Sequence, residues 1–200
     1  MPLNHPVAAA LRGARPALLV LLASLLLASC GSGDSPSKGD IRSFTPIAEQ
    51  MPPAELVDLL NHHFTAMVGI VFHFKGTLDK YIGDELMAVF GAPILAHDDA
   101  ERALRAALEM QRRNNELNAE REAAGKPRLE LGIGISSGEV IAGYVGAPER
   151  MEFTVVGDRV NVGKRLCSYA EGGQVVISDL TYERVKDLVE AEAIGEVELK

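Results

Sequence analysis

A hairpin signal between two helix-like segments constrains the fold more than any other part of the sequence. Two strand-like runs, 78–82 and 86–90, flank a turn at 83–85 that begins with glycine, a pattern typical of a β-hairpin. Apolar residues at three- and four-residue steps predict one helix over 56–72 and another over about 98–124. Strand and helix patterns keep alternating towards the end of the chain. The sequence therefore predicts an α+β or mixed α/β sandwich in which helices pack on a sheet.

Composition and charge narrow the functional classes. Of the 200 residues, 47% are hydrophobic and 24% are charged, which is the balance of a globular domain with a core. The formal net charge of -8 argues against binding nucleic acid through a general basic surface, although it allows a local basic pocket. The two cysteines, Cys30 and Cys167, are too few and too distant to indicate a disulfide framework or a zinc site.

The N-terminal segment, 1–30, has a different character from the rest. Arg12 and Arg15 precede an apolar run at 17–29, and small residues lead to Cys30, which is the pattern of a secretory signal. As a helix the run would span roughly 20 Å at about 1.5 Å per residue. Since a bilayer core is about 30 Å thick, a signal segment is favoured over a full membrane span.

The residues 27–30, Leu-Ala-Ser-Cys, resemble the lipobox of bacterial lipoproteins. That resemblance implies lipidation of Cys30 and attachment to a membrane through the N-terminus. The alternative is a short membrane anchor. Residues 31–39 are rich in glycine and serine and predict a flexible tether, so the domain itself is expected to occupy 40–200.

Two aspartates are candidate ligands for a metal. Asp40 follows a glycine, and Asp84 lies at the tip of the predicted hairpin. If the two carboxylates converge, they could hold Mg²⁺, which prefers carboxylate and phosphate oxygens. The alternative is that Asp40 is an ordinary turn residue.

Lys80 precedes Asp84 by four residues, so in a strand both side chains would point to one face. Because lysine donates hydrogen bonds but cannot accept them, it suits an acceptor such as adenine N1. A solvated surface lysine is the alternative.

A helix predicted over 158–169 carries a second candidate pair. Asn161 and Arg165 are four residues apart and so share one helix face. An amide and a guanidinium directed at a phosphate would stabilise charge that develops on phosphorus. Thr154 could add one hydroxyl. The alternative is a surface pair with a weak ionic interaction.

Four motifs occur in a recognisable order and together resemble class III adenylate/guanylate cyclase catalytic domains. They are DIRSFT at 40–45, GTLDKYIGDELMAVFG at 76–91, GIGISSGEV at 132–140 and RMEFTVVGDRVNVGKRL at 150–166. Four ordered motifs are a much stronger signal than one short pattern. The resemblance implies an α+β, ferredoxin-like sandwich with a central, mostly antiparallel sheet that forms a cyclase-type dimer.

The resemblance also implies a reaction and its metal ligands. The chain would be an adenylate cyclase, a phosphorus-oxygen lyase that converts ATP to 3′,5′-cyclic AMP and pyrophosphate with two Mg²⁺ or Mn²⁺ ions per site. Asp40 and Asp84 match the two metal-binding aspartates, and the Ile41 carbonyl would join the metal shell. Backbone amides near Phe44 and Thr45 would hold phosphates.

The remaining roles follow from the same resemblance. Lys80 matches the purine-selecting lysine and Thr154 its partner position, a combination that favours ATP because guanylate cyclases commonly carry glutamate at the lysine position. Asn161 and Arg165 match the transition-state pair, and Lys200 a phosphate-binding lysine. In a homodimer these residues would face the metal ligands of the other chain. Residues 146–152 resemble the loop of the dimerisation arm.

Two parts of the sequence depart from the family pattern. The stretch 35–39, immediately before Asp40, has low strand propensity because it contains proline and glycine. The central strand that should precede Asp40 is therefore expected to be absent or badly formed. Residues 196–200 resemble only the start of the last hairpin, so the C-terminal end is also expected to be incomplete.

Three alternatives to adenylate cyclase activity remain open at this point. The lost strand favours a non-catalytic remnant that binds nucleotide or dimerises. A guanylate cyclase is a second alternative, and a lipid-anchored envelope protein is a third. The compartment is open as well, because the family keeps this domain in the cytosol whereas a lipobox predicts export.

Overall fold

The structure is a computed structural model that describes residues 9–14, 24–29 and 44–195. Cys30, Asp40, Ile41 and Lys200 lie outside these ranges, as does the predicted tether at 31–39. The strands in the described ranges are β1 (Ala9–Ala14), β2 (Ser24–Ser29), β3 (Thr77–Ile82), β4 (Glu85–Phe90), β5 (Ile133–Gly138), β6 (Ile141–Ala147), β7 (Arg150–Val156), β8 (Val175–Ile177) and β9 (Val189–Ala193). The helices are α1 (Phe44–Gln50), α2 (Pro53–His73), α3 (Asp99–Ala123), α4 (Asp158–Tyr169) and α5 (Asp179–Val185).

One large sheet organises these elements. Its seven strands lie in the order β3-β4-β2-β5-β8-β1-β9, and β6 and β7 form a separate two-stranded sheet. Every pair in the large sheet is antiparallel except β5 with β8, which is parallel. The expected α+β fold with a mostly antiparallel central sheet is confirmed.

The centre of the large sheet corrects one expectation about the first strand. That strand was expected to be absent or badly formed at 35–39. The structure instead places β2, Ser24–Ser29, between β4 and β5, and β2 pairs with both neighbours along its length. A central strand needs an apolar sequence and a neighbouring strand on each side. It does not have to lie next to Asp40 in the sequence. The low strand propensity of 35–39 therefore does not leave the centre of the sheet empty, because β2 lies earlier in the chain.

The N-terminal segment also supplies β1, Ala9–Ala14, which lies between β8 and β9. The strand β9, Val189–Ala193, was not predicted and closes this edge of the sheet. Within the described ranges, none of the helices combines the length and apolar character that crossing a bilayer requires. Lipidation of Cys30 and membrane attachment stay predictions.

Helices cover the sheet on both faces. The strand β4 is buried throughout and alternates between the two sides, which its all-apolar pattern after Glu85 requires. One face packs against α2, α3 and α5, and its core includes Met67, Val71, Leu86, Phe90, Leu104, Met110, Ile133, Ile177 and Val185. On the other face α4 packs through Val162 and Leu166 against Val176 of β8. Helices therefore pack on both faces of the sheet.

Polar side chains of α3 hold the segment that leads into β5. Asn118 donates to the Leu129 carbonyl at 3.0 Å and accepts from the Leu129 amide at 2.9 Å. Gln111 donates to the Leu131 carbonyl at 2.7 Å. The apolar pattern would allow a strand to begin at Leu129, but these bonds satisfy the backbone groups of Leu129 instead. The strand β5 therefore starts later, at Ile133.

The contact between β5 and α4 depends on glycine. A Cβ atom on Gly134 would lie 2.2 Å from the backbone nitrogen of Cys167 and 2.5 Å from the carbonyl oxygen of Gly163. Both atoms belong to the helix backbone, which cannot rotate away as a side chain would. The absence of a side chain at Gly134 thus sets how closely α4 approaches the sheet.

A buried histidine makes the stability of this fold depend on pH. His63 is 1% exposed in α2, and burial, followed by the charges of Arg121 and His62, lowers its pKa from 6.5 to about 4. Because the unfolded chain binds the proton more readily, the stability contributed by neutral His63 is complete above pH 6.5. It is lost as the pH falls from 6.5 towards 4.

We expect His63 to lower the free energy of unfolding by about 2 kcal/mol between pH 7 and pH 5, at most about 1.4 kcal/mol per pH unit. Urea unfolding of His63→Gln at both pH values measures this, since the variant should show a smaller difference between them. An exposed histidine at the end of the same helix provides the control, because His73→Gln should keep the wild-type difference. Equal pH dependence in His63→Gln and wild type would contradict the assignment.

Candidate functional site

The turn between β3 and β4 presents a buried carboxylate. Ile82 pairs with Glu85, and Gly83 adopts the left-handed conformation with φ 66° that the tight turn needs. Asp84 follows and is only 6% exposed. A carboxylate is seldom buried without a role, and its oxygens are ligands that Mg²⁺ and Mn²⁺ prefer.

A β-bulge in β3 decides which way Lys80 points. Leu78 pairs with Ala88 and Lys80 with Met87, so that Asp79 is the extra residue between the two pairs. Ala88 faces the core formed with α2 and α3, whereas Met87 faces the opposite side. Without the bulge, alternation would turn Lys80 towards that core. The extra residue brings Lys80 to the face that also carries β7.

On that face Lys80 and Thr154 share one carboxylate. The Thr154 hydroxyl donates to Oδ2 of Asp79 at 3.0 Å, and Nζ of Lys80 lies 3.5 Å from the same oxygen. Oε2 of Glu152 is 3.9 Å from Nζ on the other side. The Asp79 side chain is 4% exposed and that of Lys80 is 34% exposed. This arrangement of Asp79, Lys80 and Thr154 is called the lysine–threonine cluster below, and the exposed Glu152 lies outside it.

Asp79 and Glu152 were not predicted as neighbours of Lys80 and Thr154. Strict alternation would place Asp79 and Lys80 on opposite faces, and the bulge that unites them leaves no clear pattern in the sequence. Strand alternation does not relate Lys80 to Asp84 either. Asp84 lies in the turn, beyond the last ladder pair of Ile82 with Glu85.

The helix α4 presents the other predicted pair to solvent. Val162 and Leu166 are buried, whereas Asn161 and Arg165 are exposed on the outer face. That they share one face agrees with their spacing. The strand β7 ends one residue before the helix begins, so Thr154 and Asn161 are carried by consecutive elements. The amide and the guanidinium are therefore accessible to a phosphate from outside the chain.

The phosphate-binding and metal positions are partly described. Phe44 and Thr45 are the first residues of α1, where backbone N–H groups have no partner within the helix. Among the residues that the structure covers, no three His, Cys, Asp or Glu side chains gather into a metal cluster. Asp84 is the predicted ligand that is described, and its buried carboxylate fits Mg²⁺ or Mn²⁺.

The hairpin of β6 and β7 is called the arm and carries an exposed apolar surface. Residues 146–152, which resemble a loop in sequence, are mostly strand, because the pairing runs from Ile141 with Val156 to Ala147 with Arg150. The apolar side chains exposed on the arm are Ile141, Tyr144, Val145, Met151, Phe153 and Val156. So many exposed apolar groups on a small hairpin mark an interaction surface.

The family of the chain follows from a sequence comparison. The family model described as the adenylate and guanylate cyclase catalytic domain matches residues 39–200. The chain belongs to this family. Its cyclase motifs therefore include β3, β4, β5, β7 and α4, the elements that carry the lysine–threonine cluster, Asp84 and the pair Asn161 and Arg165.

Curated relatives of this cyclase domain are much longer proteins. Adenylate cyclase 1 of Rhizobium meliloti is 34% identical over 163 residues, which are 80% of this chain and 24% of that protein. An uncharacterized protein of Mycobacterium tuberculosis is 42% identical over 134 residues, 66% of this chain and 22% of that protein. The chain thus spans less than a quarter of the length of these relatives.

Solved cyclase structures have the same fold. The guanylyl cyclase Cya2 superposes with a TM-score of 0.74 at 34% identity, over 88% of this chain and 91% of that one. The adenylyl cyclase CyaB from P. aeruginosa gives a TM-score of 0.74 at 28% identity, over 90% and 98%. Since both adenylyl and guanylyl cyclases are similar to this chain, the fold does not decide between the purines.

Proposed function

We propose that the chain is an adenylate cyclase that converts ATP to 3′,5′-cyclic AMP and pyrophosphate at a homodimer interface. The observation that carries the proposal is that Lys80 and Thr154 lie on one face of the sheet and both contact the carboxylate of Asp79. Adenine offers an acceptor at N1 and an amino donor at position 6. A lysine that only donates and a hydroxyl that can accept complement these two groups.

The phosphate chemistry uses the other residues. The ribose 3′-oxygen loses its proton and bonds to the α-phosphorus, while the bond to the bridging oxygen breaks and pyrophosphate leaves. Arg165 and Asn161 would donate to the phosphoryl oxygens as negative charge develops on them. Amides at Phe44 and Thr45 would hold the leaving phosphates, with Lys200 as a further predicted contact.

Metal ions would complete the site. Asp84 would hold the ions, and Asp40 and the Ile41 carbonyl are the further predicted ligands. Two divalent ions supply charge stabilisation for the attacking and leaving oxygens of an in-line displacement. The buried position of Asp84 supports its role, because a carboxylate with little access to water gains more from a bound cation.

A second copy of the chain would complete each site. Asn161 and Arg165 face outward, and the arm exposes Tyr144 and Phe153, whose rings pack edge to face 5.5 Å apart. Burying the arm against another chain would remove this apolar surface from water. Asp84 of one chain would then face the lysine–threonine cluster, Asn161 and Arg165 of the other.

The proposal is tested by incubating the full chain with ATP or GTP and Mn²⁺ and measuring both cyclic nucleotides. We expect cyclic AMP as the main product and a loss of at least about 100-fold in Asp84→Asn, because a metal ligand is removed. Asp187→Asn, which removes an exposed carboxylate of the same type elsewhere, should keep the wild-type rate.

Two other outcomes would replace the proposal. Cyclic GMP as the main product would identify a guanylate cyclase, the class to which the similar Cya2 belongs. No product from a folded dimer would identify a remnant that binds nucleotide or only dimerises.

A further inference from the structure

The hydrogen bond between Thr154 and Asp79 has only one possible direction. A threonine hydroxyl carries one donor hydrogen and two acceptor lone pairs, and an ionised carboxylate only accepts. At 3.0 Å from Oδ2 of Asp79, Oγ1 of Thr154 therefore directs its hydrogen towards the carboxylate. What Thr154 can offer to any other group is a lone pair.

From this geometry we infer that Asp79 is a positioning residue that makes the enzyme select adenine. It holds Thr154 as an acceptor for the 6-amino group, and it attracts the Lys80 ammonium to the same place at 3.5 Å. The inference rests on the proposed function, because it assumes that the purine binds at the lysine–threonine cluster.

Guanine does not fit Thr154 or Lys80, because its donor and acceptor groups are reversed relative to those of adenine. Its O6 is an acceptor and would meet the lone pairs of Thr154, while its N1–H is a donor and would meet the Lys80 ammonium. Two mismatched pairs leave buried polar groups without partners, which costs more than losing one good contact. If Asp79 did not hold the hydroxyl, Thr154 could rotate and donate to O6, and part of the discrimination would disappear.

Burial supports this role for Asp79. Its side chain is 4% exposed and Thr154 is 8% exposed, so water is largely kept from competing for their hydrogen bond. Glu152 is also near Lys80, at 3.9 Å, but its side chain is 52% exposed. An exposed pair of that kind contributes little. The structure therefore contains a matched control for the loss of one carboxylate beside Lys80.

The test compares kcat/KM for ATP and for GTP in the full chain with Mn²⁺. Asp79→Asn is nearly isosteric, and its amide can donate to Oγ1 and so release the hydroxyl hydrogen. We expect the preference for ATP over GTP to fall at least about tenfold, as one hydrogen-bond mismatch is relieved. Glu152→Gln should keep the preference within about twofold.

A double variant shows whether Asp79 acts through Thr154. In Thr154→Val the hydroxyl is gone, so adding Asp79→Asn should change the ATP to GTP ratio by less than about twofold. A purely structural link between β3 and β7 would lower activity towards both nucleotides without changing their ratio. Circular dichroism checks that each variant is folded, and Asp79→Ser, measured in parallel, replaces Asp79→Asn if that variant unfolds.

Binding of fluorescent ATP and GTP analogues to the same variants gives a readout that does not require turnover. If wild type makes cyclic AMP but Asp79→Asn keeps the wild-type preference, the role of Asp79 is overturned and the adenylate cyclase proposal stands. If wild type neither makes cyclic AMP nor prefers the ATP analogue, both are overturned.

Discussion

A mixture of Asp84→Asn and Arg165→Ala chains is expected to form cyclic AMP although each variant alone forms almost none. In the proposed homodimer each site takes Asp84 from one chain and Arg165 from the other. A mixed dimer therefore has one site with both lesions and one intact site. Random pairing makes half of the dimers mixed, so about one quarter of the wild-type rate should return.

The matched control uses two variants from the same side of the site. In a mixture of Asn161→Ala and Arg165→Ala chains every site lacks one of the two side chains, so no activity should return. Each single variant should lose about 100- to 1000-fold in kcat, since both groups stabilise transition-state charge. Recovery in this control mixture would show that Asn161 and Arg165 of one site come from different chains. No recovery in the first mixture, although the dimers have exchanged, would show that one chain carries a complete site.

Gly134→Ala is expected to destabilise the domain by about 3 kcal/mol or more, because the added methyl would overlap the backbone of α4. The added Cβ atom would lie 2.2 Å from the Cys167 nitrogen, so α4 would have to move away from β5. Because α4 carries Asn161 and Arg165, we expect catalysis to fall together with stability. Urea unfolding and the cyclic AMP assay measure the two effects.

Gly143→Ala on the arm is the control for this substitution. A Cβ atom added at Gly143 would have no heavy atom of another part of the structure within 4 Å. The methyl should therefore change the free energy of unfolding by no more than about 0.5 kcal/mol. A wild-type stability for Gly134→Ala would mean that α4 does not pack on β5 at this distance.

Much of the fold could be predicted because its elements have local signals. The hairpin of β3 and β4 is marked by apolar runs around Gly83, and α3 by periodicity from Asp99 onward. The bounds of α4, Asp158–Tyr169, agree with the sequence pattern. In these segments the local preference and the tertiary packing favour the same structure.

The differences arise where pairing with distant residues decides the structure. The strand β2 takes its place through ladders with β4 and β5, far away in the chain. Leu129 stays outside the sheet because Asn118 satisfies its backbone. Neither outcome follows from the propensity of the segment itself.

The candidate site shows the same division between local and distant signals. The spacing of Asn161 and Arg165 correctly places them on one exposed face of α4. The orientation of Lys80 depends on the bulge at Asp79, a shift of one residue that is visible only once β3 is paired with β4. Asp79 could not be identified from the sequence as the contact of Thr154 for that reason.

If residues 27–30 act as a lipobox, export would remove residues that the large sheet uses, because β2 lies inside that sheet. Processing at a lipobox would cut before Cys30 and discard the segments that form β1 and β2. The strands β4 and β5 would then be separated by a gap of about 10 Å, twice the spacing of neighbouring strands, and could not hydrogen-bond to each other. Under that condition a processed lipoprotein would lack β1 and β2 of this sheet, and a chain with the complete sheet would be unprocessed. Whether a chain is processed or forms the complete sheet would thus depend on which happens first, cleavage before Cys30 or the pairing of β2 with β4 and β5.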